Sequence, residues 1–327
     1  MPHLLIAGKL HPAGLALLED SDGFTYDYVE AISEPSYAPL IGSADALVIR
    51  TQPLSPATIA QASRLKIVSR HGVGYDSVDL AELNQRQIPL CVVGDVNSLS
   101  VAEHAMMLIL ASAKRLIRAD RSVRDGPWSW RNALEASEIS GKNLLIVGYG
   151  RSGRHLARMA HGFAMQTRAF DPFLVKQGWP EGPAAPVASL AEGLAWADVI
   201  SIHAPKAGKP ILDAEAFAQM KPGGIIVNTA RGGIVDETAL AAALTEGRVA
   251  AAGLDVYDEE PPAKTHPLLA FDQVVLTPHI AGVTSQAAER MAVSSVQNVL
   301  DFFAGLLDPD LIVNKDHNSG HLGAATE

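Results

Sequence analysis

Short runs of Val, Ile, Leu and Ala recur along this chain, apolar throughout and too brief for helices. Leu4–Ala7, Ala46–Ile49, Ile67–Ser69 and Cys91–Val93 form a first set. Leu144–Val147, Thr167–Phe170, Val199–Ile202, Ile225–Asn228, Ala251–Leu254 and Val274–Leu276 form a second. Strands with one wet face alternate polar and apolar residues, whereas strands buried on both faces of a parallel sheet do not. Longer helix-compatible stretches separate the runs. The pattern therefore predicts an α/β fold of doubly wound parallel sheets.

A helical pattern over Val101–Arg124 separates the two sets. Its apolar stripe runs through Val101, Ala105, Leu108, Ile109, Leu116 and Val123. Ser100 with Glu103 reads as a capping box at its start, and Gly126-Pro127 ends it. A second long helix, Thr284–Phe303, follows the last run. Two connectors flanking the second set imply that the second lobe is inserted into the first. The expected domains are residues 1–99 with 286–327, and residues 100–285. Two domains also suit the 327-residue length. The polar tail from Asn314 is expected to fray.

Composition narrows the function. A net charge of −10 argues against a nucleic-acid surface. One cysteine, Cys91, excludes a disulfide framework and an all-cysteine zinc site, and it fits a reducing compartment. The start, MPHLLIAGKL, reads as a buried strand and not a signal peptide, and no run is long enough to span a bilayer. A cytoplasmic protein is expected. The histidines are scattered without metal-ligand spacing, so no metal site is expected.

After Leu144–Val147 comes Gly148-Tyr149-Gly150-Arg151-Ser152-Gly153, then a helical stretch. In such a strand-to-helix turn the first glycine makes the bend and the second admits a pyrophosphate. The third lets helix and strand pack closely, and the helix N-terminus offers free N–H groups. Asp171 closes the next strand, near the spacing of about 20 residues expected of a ribose-binding acid. A carboxylate there accepts from ribose hydroxyls and repels a 2′-phosphate, which favours NAD over NADP. The structural alternative is a plain glycine turn with a surface Asp.

Arg231, Glu260 and His279 follow three consecutive strands of the second set. Ligands of open parallel sheets bind outside the carboxyl ends of the strands, so these side chains converge where a dinucleotide would lie. Their chemistry suits a 2-oxo acid. Arg offers a permanent fork of donors to a carboxylate and a carbonyl. His gives a proton to the oxygen as hydride arrives at carbon, and a neighbouring Glu orients it and favours its charged form. Singly, each residue also reads as a loop or structural residue; together they point to catalysis.

The segments KIVSRHGVGYDSVD, VAEHAMMLIL, LLIVGYGRSG, PGGIIVNTARGGIVDE, GLDVYDEEPP and VVLTPHIAG carry a resemblance. Through them nearly the whole chain resembles the D-isomer-specific 2-hydroxyacid dehydrogenases, the group of phosphoglycerate, glyoxylate/hydroxypyruvate and D-lactate dehydrogenases. The resemblance implies a Rossmann NAD-binding domain inserted into a flavodoxin-like substrate-binding domain, with the active site in the cleft between them. It implies a catalytic Arg231, an orienting Glu260 and an acid/base His279. It implies NAD contacts at Gly148, Gly150, Arg151, Ser152, Gly153, Asp171, His203, Ala204, Pro205, Thr229, Ala230, Asp255, His279 and Gly282. Arg70, His71, Gly72, Val73 and Gly74 would meet the substrate carboxylate through backbone N–H groups, with Arg231 and His279 completing the substrate site. The family's homodimers form through the Val101–Arg124 helix and the loop after it. Two places depart from its usual pattern: Val73 stands where a threonine or small residue is common, and His203–Pro210 carries Lys206 and Lys209 in place of a threonine-rich stretch. The 327 residues are filled by the catalytic core, so no C-terminal regulatory domain is expected.

The substrate class is a small anionic 2-hydroxy or 2-oxo acid, with 3-phosphoglycerate and glyoxylate/hydroxypyruvate as leading types. Arg50, Arg70 and His71 read either as charge for a second anionic group or as solvated loop residues. Trp128 reads as an anchor of its loop or a wall of the site, and Trp130 stays open between the two. The alternative function is an NAD-sensing, corepressor-like binding protein of the same fold.

Overall fold

The computed structural model describes residues 1–206 and 208–315. The chain forms two compact units. One comprises Met1–Asn97 and the segment from Ser285 onward; the other is Ser98–Thr284.

The first unit carries β1 (His3–Ala7), β2 (Thr25–Val29), β3 (Ala46–Ile49), β4 (Ile67–Arg70) and β5 (Leu90–Cys91). They pair in parallel in the order β2-β1-β3-β4-β5, a flavodoxin-like winding whose switch point lies between β1 and β3. The C-terminal helix Ser285–Ala304 completes this unit. A Cβ at Gly14 would lie 2.9 Å from the Cβ of Ala292, so a glycine is what lets the Pro12–Glu19 helix touch it.

The second unit carries β6 (Asn143–Val147), β7 (Gln166–Phe170), β8 (Ala185–Pro186), β9 (Val199–Ile202), β10 (Gly224–Asn228), β11 (Val249–Leu254) and β12 (Val274–Leu276). Their order, β12-β11-β10-β9-β6-β7-β8, is the Rossmann winding with one added strand, and it reverses between β6 and β9. Alternate side chains feed two cores. Leu145, Val147, Ile200 and Ile202 face one side. Leu144, Ile146 and Val227 face the other, against Ala105, Leu108 and Ile109 of the Ser98–Ala113 helix. Burial on both faces is why these strands read as unbroken apolar runs. The α/β class of two parallel sheets is the one expected.

Several local expectations need correction. Strands β2 and β8 escaped the sequence reading because both are edges: TYDYV is half exposed and polar, and β8 is two residues with a proline. The Val101–Arg124 helix is two helices, Ser98–Ala113 and Leu116–Arg124. They break at Arg115, whose backbone is left-handed (φ 53°) and whose guanidinium donates to the Ala250 carbonyl at 2.6 Å. Leu116 and Val123 therefore leave the apolar stripe and are exposed. Ser100 is not the cap: the helix starts at Ser98, and the Ser100 hydroxyl meets that of Thr284 at 3.0 Å. Asn314 does not fray. Its amide donates to the Ile88 carbonyl and accepts from Leu90 N–H. The rest of the expected tail, 316–327, lies outside the described residues. Trp128 is 65% exposed and anchors nothing in an apolar seam.

Candidate active site

In the second unit, the C-terminal edge of the sheet is built around glycines. Gly148 sits at φ 94°, and a Cβ there would lie 2.6 Å from the amide nitrogen of Ala204. A Cβ at Gly153 would lie 2.4 Å from the Gly148 carbonyl oxygen, so this glycine seats the Arg151–Gly162 helix on the turn. Around Gly150 there is nothing within 4 Å of a Cβ position. That space opens on the first turn of the helix, whose N–H groups have no intrahelical partners. Two buried polar atoms at the ends of neighbouring strands also lack partners among the described residues: His203 Nδ1 after β9 and Thr229 Oγ1 after β10. An open glycine cradle with unsatisfied groups beside it fits a dinucleotide.

Other expected cofactor residues are held by the chain itself. Asp171 caps the Pro172–Gln177 helix, one oxygen accepting from the N–H groups of Phe173 and Leu174 at 3.1 Å. Its second oxygen accepts from Tyr149 N–H at 2.9 Å and so ties the glycine turn to β7. Tyr149 is fully buried and stacked on Trp179 at 5.1 Å. His203 donates its N–H to the Val147 carbonyl, and its Nε2 pairs with the Ser201 hydroxyl. Burial pushes its pKa down to about 4, so the ring is neutral. Ala204 follows it half-buried, and Pro205 and Arg151 are exposed, as Ser152 and Gly282 partly are. Asp255 has no exposed surface and anchors the loop after β12. One oxygen accepts from the Thr277 hydroxyl at 2.5 Å and Ile280 N–H at 2.9 Å, the other from Ala281 N–H at 2.8 Å.

The three polar residues after β10, β11 and β12 are each positioned by backbone contacts. Arg231 leaves β10 through a turn clamped by Asn228, whose amide donates to the Arg231 carbonyl and accepts from Ala230 N–H. A Cβ at Gly232 would lie 1.8 Å from the Tyr257 carbonyl oxygen, so only glycine lets the Arg231 loop lie on the Glu260 loop. Glu260 accepts from Tyr257 N–H at 3.1 Å with one oxygen. Its other oxygen meets His279 Nδ1 at 2.7 Å. His279 is held at φ 53° by its N–H on the Asp255 carbonyl at 2.8 Å. The ring is half exposed, and its Nε2 has no partner among the described residues. A neutral ring paired through Nδ1–H has an accepting Nε2; a charged ring has a donating one.

In the first unit, Arg70–Gly74 follows β4. His71 N–H donates to the Ile49 carbonyl and Gly72 N–H to the Arg70 carbonyl. These two amides are paired within the chain. Val73 and Gly74 have no backbone partner among the described residues and keep that capacity. Arg70 is buried and donates to the Ile49 and His71 carbonyls. His71 is buried, and its Nε2 has no partner among the described residues. Arg50 follows β3 at the switch point and donates to the Lys9 carbonyl at 2.7 Å.

Residues 106–281 match the sequence family described as "D-isomer specific 2-hydroxyacid dehydrogenase, NAD binding domain". A hydroxypyruvate reductase of Thermotoga maritima is 36% identical over 275 residues, 83% of this chain and 88% of that protein. The chain belongs to the D-isomer specific 2-hydroxyacid dehydrogenase family. A D-3-phosphoglycerate dehydrogenase of Archaeoglobus fulgidus is 40% identical over 265 residues, 80% of this chain and 50% of that protein. The chain thus spans about half the length of that relative. The solved structure of the TT0316 protein from Thermus thermophilus superposes with a TM-score of 0.85 at 31% identity, covering 95% of this chain and 99% of that one. As a member of this family, the chain carries its NAD-binding domain in the Ser98–Thr284 unit. Asn228, Tyr149 and Thr277 went unread as site builders in the sequence. Thr277 and Tyr149 act through contacts distant in sequence and Asn228 through a buried local turn, although all three lie inside the quoted family segments.

Proposed function

We propose that the chain interconverts a small D-2-hydroxy acid and its 2-oxo acid with NAD(H). The supporting observation is the His279–Glu260 pair, 2.7 Å apart, with the imidazole's other nitrogen open. NAD supplies or accepts the hydride when bound. Gly150, Arg151, Ser152, Asp171, His203, Ala204, Pro205, Thr229, Ala230 and Gly282 would hold it, and Asp171 favours NAD over NADP. Arg231 binds the substrate carboxylate and polarises the carbonyl. His279 Nε2–H gives its proton to the carbonyl oxygen as the carbon becomes C–H, and recovers it in the reverse direction. Glu260 holds Nδ1–H and stabilises the imidazolium needed for that transfer. The Val73 and Gly74 amides are the remaining backbone donors for the carboxylate.

The substrate is of the 3-phosphoglycerate or glyoxylate/hydroxypyruvate type, with Arg50 and Arg70 as charge for a second anion. The reading includes a homodimer through the helices between 98 and 124 and the loop after them, supported by exposed Leu116, Ile117, Val123 and Trp128. It includes a cytoplasmic setting, supported by the chain's single cysteine, Cys91. Among the described residues no helix is long and apolar enough to cross a membrane. A panel of 2-oxo acids, followed by NADH absorbance, tests the proposal. Turnover of hydroxypyruvate, glyoxylate or 3-phosphohydroxypyruvate is expected. Activity with none of them, alongside measurable NADH binding, would favour an NAD-sensing protein instead.

A further inference from the structure

One partly buried histidine outside the catalytic group is wired to the His279 loop. His104 lies on the Ser98–Ala113 helix, and its Nε2 meets the Thr277 hydroxyl at 2.9 Å. That hydroxyl has a single proton, and the 2.5 Å contact places it on Asp255. Its oxygen therefore accepts, and His104 carries hydrogen on Nε2. The same nitrogen stands 3.5 Å from the Asp255 carboxylate, so the carboxylate has a further polar neighbour. Burial lowers the His104 pKa more than Asp255 raises it, which keeps the ring neutral with one N–H to give.

We propose that His104 is a positioning residue for the imidazole of His279, acting through the Thr277 hydroxyl and the Asp255 carboxylate. The inference rests on His279 being the proton donor. The Asp255 carboxylate is wholly buried, and a buried charge is tolerable only with its donors in place. Those donors include the N–H groups of Ile280 and Ala281, directly after His279, while the Asp255 carbonyl takes His279 N–H itself. His279 is held in a left-handed conformation, which persists only where surroundings over-determine it. Without the His104 N–H, the Thr277 hydroxyl has no donor facing it among the described residues and is free to turn. The Leu254 carbonyl, 3.5 Å away, is its other acceptor. The carboxylate then loses its shortest hydrogen bond, and the loop carrying His279 loses its fixed anchor. Glu260 alone would then be left to aim the ring.

The test uses the full chain with His104→Met, which removes the donor, and His104→Gln, which keeps an N–H donor. Thermal melts check folding. The readouts are the ring-carbon NMR signal of His279, the pH profile of turnover, and kcat against KM for NADH. His104→Met is expected to lose about tenfold or more in kcat, with KM for NADH within about threefold of wild type. Its pH profile moves and its His279 signal is displaced, while His104→Gln restores both. Thr277→Val should reproduce the loss, and the double variant should lose little more, since the two act in one chain. Wild-type kcat, pH profile and His279 signal in His104→Met would overturn the inference. So would equal losses in the Gln and Met variants, or fully additive losses with Thr277→Val. If the wild type reduces no 2-oxo acid, the NMR arm still decides the positioning, and it is the dehydrogenase reading that fails.

Discussion

At the scale of single residues, burial decides which charges exist. Burial, and after it the neighbouring Arg50 charge, push the His71 pKa down to about 3. In the unfolded chain a histidine titrates near ~6.5. Between these values the unfolded state holds a proton that the folded state does not, so stability rises with pH across that window. Acidification from about pH 6.5 therefore costs up to ~1.4 kcal/mol per unit until the folded His71 itself titrates. We expect the wild-type melting temperature to fall more steeply between about pH 6.5 and 4.5 than that of His71→Gln. Equal slopes would contradict this. Residue identity alone showed Arg231, Glu260 and His279, because their side-chain chemistry and place after successive strands announce them. It did not show that Asp255 is an anchor, or that Gly232 is required by a carbonyl across the next loop. Those roles exist only once distant segments meet.

At the scale of elements, the strand–glycine turn–helix unit separates two glycine roles by experiment. Gly150→Ala fills the open cradle without touching protein, so it should weaken NADH binding about tenfold or more and leave the melting temperature unchanged. Gly153→Ala drives a methyl against the Gly148 carbonyl, so it should lower both the affinity and the melting temperature. Fluorescence titration and thermal melts read the two effects, and wild-type NADH affinity in Gly150→Ala would remove the cradle from the site. The buried parallel strands were legible because burial on both faces leaves an unbroken apolar run. Edge strands β2 and β8 were not, since half-exposed backbone pairing needs no such run. The break at Arg115 was equally hidden: Leu116 and Val123 keep helical spacing on paper, while the left-handed Arg115 backbone and its hydrogen bond to Ala250 mark where the stripe ends.

At the scale of the molecule, family membership, the glycine cradle and the His279–Glu260 pair agree on one chemistry. The net charge of −10 repels anions at long range, so on the proposed reading a 2-oxo acid would be drawn by local cations such as Arg231. The central claim is that His279 moves the proton while the rest of the second unit holds the nucleotide. Its most direct test is His279→Ala, assayed in one preparation for NADH binding and for NADH oxidation with the active 2-oxo acid. The account predicts a loss of about 10²–10⁴ in kcat, with the NADH dissociation constant within about threefold of wild type. Wild-type turnover in that variant would contradict it.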